Sequence, residues 1–243
     1  MMIRLTSIFL ISSAILLTPV EALFAETMAS LVKATTFQFN PPDDGIPSNT
    51  TGGASRNLFG CRRQETATKA SNITLLVPSS FMGLTVSAHP EFFLYAEQTL
   101  ARQLFVNIQD EQGETIYQGY KTLPESTGLI SIKVPEEASD LSLESTYRIA
   151  VVPVCGDSLQ PDDPILIGYV KRVSLPQSVQ TAPLTSTFEK VGIYAELGIW
   201  YDTLMMLDQI LRSEPANSDA VVAWETLLTI GGLESFELTF SAH

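Results

Sequence analysis

Leu104-Phe105-Val106-Asn107-Ile108-Gln109, then Asp110-Glu111-Gln112-Gly113, then Thr115 to Thr122, is the stretch whose reading decides the fold class. Leu104, Val106 and Ile108 alternate with Phe105, Asn107 and Gln109, the period-two pattern of a strand with one face in a core. The four residues that follow are a hairpin turn, with Gly113 free to take a left-handed conformation. A hairpin of this kind needs further strands to bury its apolar face, and the flanking sequence supplies them.

Short strands are expected at Ile73–Val77, Leu84–Ser87, Phe92–Ala96, Arg102–Gln109, Thr115–Thr122, Gly128–Val134, Thr146–Val154 and Ile165–Val173. Ile130, Ile132 and Val134 share one face, as do Tyr147, Ile149 and Val151. Eight alternating strands over about 100 residues point to an antiparallel β-sandwich. The run from Leu141 to Tyr147 resembles the tyrosine corner of immunoglobulin and fibronectin-type sandwiches, in which the phenol bonds back across the preceding loop. The expected fold is therefore β-rich: an immunoglobulin/fibronectin-like antiparallel sandwich over residues 72–175, followed by helices over 176–243.

From Pro176 the period changes. Leu184, Phe188, Val191, Tyr194 and Ala195, then Leu204, Leu207, Ile210 and Leu211, recur at three- and four-residue spacing. Gly198 separates two helices and Pro215 stops the second. Ser218 or Asp219 is expected to cap a third that carries Val222, Leu227 and Leu228. Trp200, Thr203 and Pro215 fall where a tetratricopeptide repeat places an aromatic, a small residue and its closing proline, although Val191 replaces the usual glycine. An ordinary helical hairpin explains the same spacing. One repeat and a following helix cannot stand alone, so the segment is expected to pack on the sandwich.

At the other end, Arg4 precedes an apolar run from Leu5 to Val20, and small residues lead to Ala25. This is the order of a secretory signal, with residues 1–25 removed and Glu26 as the new N-terminus. The alternative, a membrane anchor, needs roughly 20 apolar residues, and this run stops at about 16. Residues 26–71 are rich in Pro, Gly, Ser and Thr and read as a flexible lead, with Arg56, Arg62 and Arg63 grouped around Cys61. Cys61 and Cys155 are the only cysteines. In an oxidising compartment such a pair is read as a disulfide, closing about 94 residues and contributing on the order of 4–5 kcal/mol. Two separate thiols are the alternative.

The 243 residues include 14 Lys plus Arg against 27 Asp plus Glu, a formal charge of −13, with 45% hydrophobic residues. The apolar share supports a real core, and the acidic excess argues against nucleic acid as a partner. That excess is divided between the strand and helix segments and nearly absent from the lead. No Gly-x-Ser-x-Gly elbow or P-loop occurs, and two His with two Cys do not make a usual zinc site. His89 reads either as a base or as a hydrogen-bonded turn residue before Pro90. The acidic pairs Asp162-Asp163 and Glu136-Glu137 read as solvated loop and strand ends. A calcium site at Asp157, Asp162 and Asp163 lacks the EF-hand spacing.

Several blocks in a fixed order complete the reading: Leu76-Val77-Pro78, Gly83-Leu84-Thr85, His89-Pro90-Glu91-Phe92, Asp110 to Tyr117, Val154-Cys155, and Tyr194 to Asp202. In this order they resemble the cyanobacterial domain-of-unknown-function family 928, over about residues 58–235. The resemblance implies a bacterial envelope or secreted location and brings no activity, cofactor or catalytic residue. The expectation is a non-enzymatic, periplasmic or secreted interaction or structural module. It has no catalytic, cofactor or metal site and no membrane span after signal cleavage, and its partner is a protein or polysaccharide of the envelope. Tyr201, Asp202 and Trp224 are the candidate partner-binding residues, with Tyr201-Asp202 at a partly exposed edge. The alternative is an envelope hydrolase or carbohydrate-binding protein using loop carboxylates.

Overall fold

Alternation along the strands becomes two facing sheets. The computed structural model describes residues 37–47, 58–59, 72–97, 99–124, 128–161, 163–183 and 186–233. The expected signal segment, most of the lead, and Cys61 lie outside them. Among the described residues nine strands are present: β1 (Leu58–Phe59), β2 (Asn72–Leu75), β3 (Gly83–Thr85), β4 (Glu91–Glu97), β5 (Gln103–Asp110), β6 (Thr115–Thr122), β7 (Gly128–Lys133), β8 (Thr146–Val154) and β9 (Leu166–Arg172). One sheet has the order β1-β2-β4-β7 and the other β3-β9-β8-β5-β6. All eight expected strands occur, within two residues at each end. The two-residue β1 was not foreseen, because nothing in its Gly- and Ser-rich surroundings has a strand period.

The inward faces are those the alternation names. Leu104, Val106 and Ile108 are buried, and Val106 pairs with Val151 and Ile108 with Ile149 across β5 and β8. In the other sheet Phe92 pairs with Ile132 and Leu94 with Ile130. The β5–β6 turn forms as expected: Gly113 has φ +86°, and the Asp110 carboxylate accepts the Gln112 and Glu114 amides at 2.9 and 2.8 Å. The tyrosine corner is also present. The Tyr147 hydroxyl accepts the Ser142 amide at 2.8 Å, beneath a loop whose Leu141 is fully buried.

The structure departs from a wholly antiparallel sandwich at one pair, because β3 runs parallel to β9. After Leu75 the chain leaves the first sheet and enters the second at Gly83. A strand that changes sheets in mid-course keeps its direction and so meets β9 in parallel.

Four helices follow among the described residues: α1 (Gln177–Gln180), α2 (Thr187–Glu196), α3 (Trp200–Ser213) and α4 (Ser218–Ile230). Gly198, at φ +70°, makes the turn between α2 and α3; a Cβ there would lie 2.7 Å from the Asn40 carbonyl oxygen. The cap of α4 is Asn217, whose side chain accepts the Ala220 amide at 3.0 Å, rather than Ser218 or Asp219. Those two already sit in the first turn, so the capping oxygen comes from the residue before them.

The lead is corrected over residues 37–47. Phe39 is buried, with its ring 5.7 Å from those of Phe81 and Trp200. The Asn40 amide donates to the Ala195 carbonyl at 3.0 Å and its side chain to that of Glu196 at 3.1 Å, which satisfies carbonyls at the end of α2. Lys171 holds Asp44 at 2.9 Å. Two phenylalanines in a Pro- and Asp-rich window were enough to fix a segment whose composition reads as flexible. Residues Phe37–His243 form one compact unit.

Replacing Tyr147 with Phe removes only the corner hydroxyl and leaves the Ser142 amide without its acceptor. The expected loss is about 1–2 kcal/mol, read as a lower urea midpoint with an unchanged slope.

Candidate functional site

The first turn of α3 joins the helices to the sandwich through three consecutive side chains. Trp200 is fully buried and donates its Nε1 hydrogen to the Leu76 carbonyl at 3.0 Å. Tyr201 lies edge-on to Phe92, with centroids 5.0 Å apart, and its hydroxyl donates to the Tyr169 carbonyl at 2.7 Å. Its ring fits because position 83 is glycine; a Cβ there would stand 2.6 Å from the ring. Burial pushes the Tyr201 phenol far above its usual range. Asp202 Oδ2 accepts the Thr85 hydroxyl at 2.7 Å and the Val86 amide at 3.1 Å.

Asp202 is 7% exposed. Burial raises the pKa of its carboxyl above the ordinary value, while the bonds from Thr85 and Val86 act in the opposite direction. Its position in the first turn of α3 sets the carboxylate by the positive end of the helix dipole.

Beside this turn lies an open cleft of about 270 Å³ whose walls include Asp202, Tyr201, Met205 and Gln209 from α3. The sandwich contributes Thr85, Ser87, His89, Pro90, Glu91 and Lys133. His89 Nε2 lies 3.0 Å from the Ala138 carbonyl and 3.3 Å from Asp140. A carbonyl only accepts, so Nε2 carries the proton in that bond. Lys133 turns toward Glu136 at 3.7 Å.

Of the expected binding residues, Tyr201 and Asp202 meet at the cleft, whereas Trp224 is buried elsewhere, edge-on to Phe93 at 6.4 Å. The partly exposed edge expected at Tyr201-Asp202 is corrected. Tyr201 is 1% exposed, because this turn is the contact that seats α3 on the sandwich. His89 forms hydrogen bonds at the strand entrance, as the turn reading required. Thr85, Glu91, Lys133 and Gln209 were not foreseen as site residues. The Thr85–Asp202 bond spans 117 residues, and no local pattern announces such a meeting.

Asp163 accepts the Gln160 amide at 2.9 Å and the Cys155 amide at 3.4 Å, so its carboxylate ties its own loop. Among the described residues no group of three His, Cys, Asp or Glu is placed to hold a metal ion. Among them, too, no helix is long and apolar enough to cross a membrane. Cys155 lies at the end of the cleft-remote strand β8, and its expected partner Cys61 is outside the described residues.

A family model described as Domain of Unknown Function (DUF928) matches residues 51–239. No curated protein matches. Among solved structures, the fn3 domain of the human collagen alpha-1(XX) chain is 14% identical, covering 52% of this chain and 96% of its own, at a TM-score of 0.26. The fn3 domain of human contactin 1 is 14% identical, covering 55% and 99%, at 0.27. The Ig1 domain of mouse SynCAM 2 is 17% identical, covering 39% and 93%, at 0.23. The sandwich assignment rests on the sheet order and pairing described above.

A carboxyl whose pKa is raised by folding binds its proton more tightly in the folded state. Its contribution is therefore full below the unfolded value, near 3.8, and is lost as pH rises through the folded value. Asp208 is raised in the same direction, chiefly by burial, and is present in both proteins compared. Asp202→Asn keeps an acceptor for Thr85 and Val86 but carries no charge. The unfolding free energy of the variant minus that of the parent is expected to rise as the pH increases above about 4. A flat difference across urea titrations at several pH values contradicts the assignment.

Proposed function

The chain belongs to the DUF928 family, whose role is undefined, and from that premise we propose that it is an exported, non-enzymatic interaction module of a bacterial envelope. The observation that carries the reading is the cleft at the seam between α3 and the sandwich. Its walls come from a rigid junction, a suitable setting for holding one group of a partner. His89, the usual type of general base, has its Nε2 proton directed at a backbone carbonyl, which supports binding over proton transfer. Export is supported by the signal-like N-terminus, and a Cys61–Cys155 bridge by these being the chain's only two cysteines, an even pair in an oxidising compartment. The α2–α3 pair serves in this reading as one tetratricopeptide-like unit fixed to the sandwich, and the partner is an envelope protein or polysaccharide.

A second reading has one observation in its favour: Asp202 and Glu91 face the same cleft, as paired acids do in a hydrolase or a carbohydrate-binding protein. Incubation with envelope polysaccharide separates the two. Release of soluble sugar by the parent chain, abolished in Glu91→Gln, overturns the non-enzymatic reading. Capture of one envelope component by the parent chain and its loss from Glu91→Gln is the expected result. On the covalent side, protein recovered from its native envelope is expected to begin at Glu26. It should also take up no alkylating reagent before reduction and two equivalents after it, both read by intact mass.

A further inference from the structure

The five-stranded sheet ends on one side in an open strand, β6. We propose that β6 is an interface between two copies of this chain, which pair along it antiparallel and join their sheets into one. The inference is independent of the cleft, which lies beside β3 at the other edge of the sheet.

The ladder fixes which backbone groups are left over. The Leu123 amide donates to the Arg102 carbonyl at 2.9 Å, and Gln103 stands opposite Thr122. In that register the hydrogen-bonded pairs are Leu104–Lys121, Val106–Gly119 and Ile108–Tyr117. The amides and carbonyls of Gln118, Tyr120 and Thr122 therefore point away from β5, and among the described residues no strand lies beyond them. Edge strands are ordinarily blunted by shortness, by proline or by a covering element. At the other edge β3 has three residues, all buried, with the Tyr201 ring against Gly83. By contrast β6 has eight residues and no proline, and its one irregularity lies at the hairpin end, so Tyr117 to Thr122 are regular.

An apolar row on the outward face runs to the open edge. Tyr120 is 59% exposed and packs on Phe105, with ring centroids 5.2 Å apart. Phe105 is opposite Val152, and the pairing of Val151 with Leu166 carries the row on to Ile165, which is 46% exposed. The row stops abruptly at Tyr120. A second copy related by a two-fold axis perpendicular to the sheet continues it, with the two Tyr120 rings as diagonal neighbours.

Charge selects a second copy as the occupant. Each chain carries −13, so two copies repel except where acids are absent. Thr115–Thr122 contains no Asp or Glu and one Lys. Setting Gln118 of one copy opposite Tyr120 of the other places Gly119 opposite itself and Lys121 opposite Tyr117. No like charges then meet, and each Lys121 ammonium comes beside an aromatic ring. Gly119 already gives its space to Tyr117, whose hydroxyl would stand 2.6 Å from a Cβ there, so nothing projects at the axis.

The test combines sedimentation equilibrium with amide hydrogen exchange, on ¹⁵N-labelled chain isolated from its envelope, from micromolar to millimolar concentration. The mass is expected to rise from one chain to two. Over the same range the Gln118, Tyr120 and Thr122 amides are expected to gain protection, while those of Gly119 and Lys121 are protected throughout. Tyr120→Ser, at a position exposed in the single chain, is expected to weaken association by about thirtyfold, the effect of losing an aromatic anchor. Gln118→Pro removes an outward amide hydrogen and is expected to abolish pairing, whereas Gln118→Ala retains it; Tyr120→Ser decides if the proline variant does not fold. A single-chain mass at every concentration, or association unchanged in Tyr120→Ser, overturns the proposal. A dimer whose three amides stay unprotected overturns it too, as does full protection of all three in the single chain. Protection that appears only with an added envelope protein gives the edge to another partner and overturns the second copy as its occupant.

Discussion

Three side chains of one helical turn hold the two halves of this protein together through four hydrogen bonds: Trp200 to Leu76, Tyr201 to Tyr169, and Asp202 to Thr85 and Val86. Each reaches a different part of the sandwich. Trp200 meets the segment after β2, Tyr201 meets β9, and Asp202 meets the end of β3. The turn therefore crosses the place where the chain passes from one sheet to the other, and it fixes both sheets against α3. A helical pair of this length cannot bury its own apolar face. Phe39, Phe81 and Phe92 complete the contact, so ordering the lead, the sandwich edge and the helices are parts of one packing event.

The sandwich was legible because its information is local. Alternation at Leu104, Val106 and Ile108 specifies which face is buried, and a one-residue slip would turn all three to solvent. Gly113 and Tyr147 mark a turn and a corner whose partners lie within five residues. The cleft was not legible, for the opposite reason. It exists only where Glu91 and Thr85 meet Asp202 and Gln209, across more than a hundred residues of chain. Sequence placed Tyr201 and Asp202 among the candidates because aromatic residues are frequent binding anchors and the pair read as a partly exposed edge. The partner they found first was the chain itself. Phe39 was hidden differently: the composition of its window averages over ten residues, while burial is decided by one ring.

Asp202 raises the question of why a carboxylate stands where an asparagine could accept the same two bonds. Its burial raises the energy of the ionised form, and Thr85, Val86 and the helix dipole offset only part of that. For joining helix to sandwich, the charge contributes nothing that a neutral acceptor lacks. Charge matters at the cleft side of the group, where the Lys190 ammonium favours the ionised form and Glu91 and Lys133 line the same cleft. The same side chain thus meets two demands of different kinds. Its Oδ2 is satisfied by a hydroxyl and an amide within the fold, and its charge is favoured by the Lys190 ammonium. This double role, more than the acidic composition of the whole chain, is what gives the seam its chemical character.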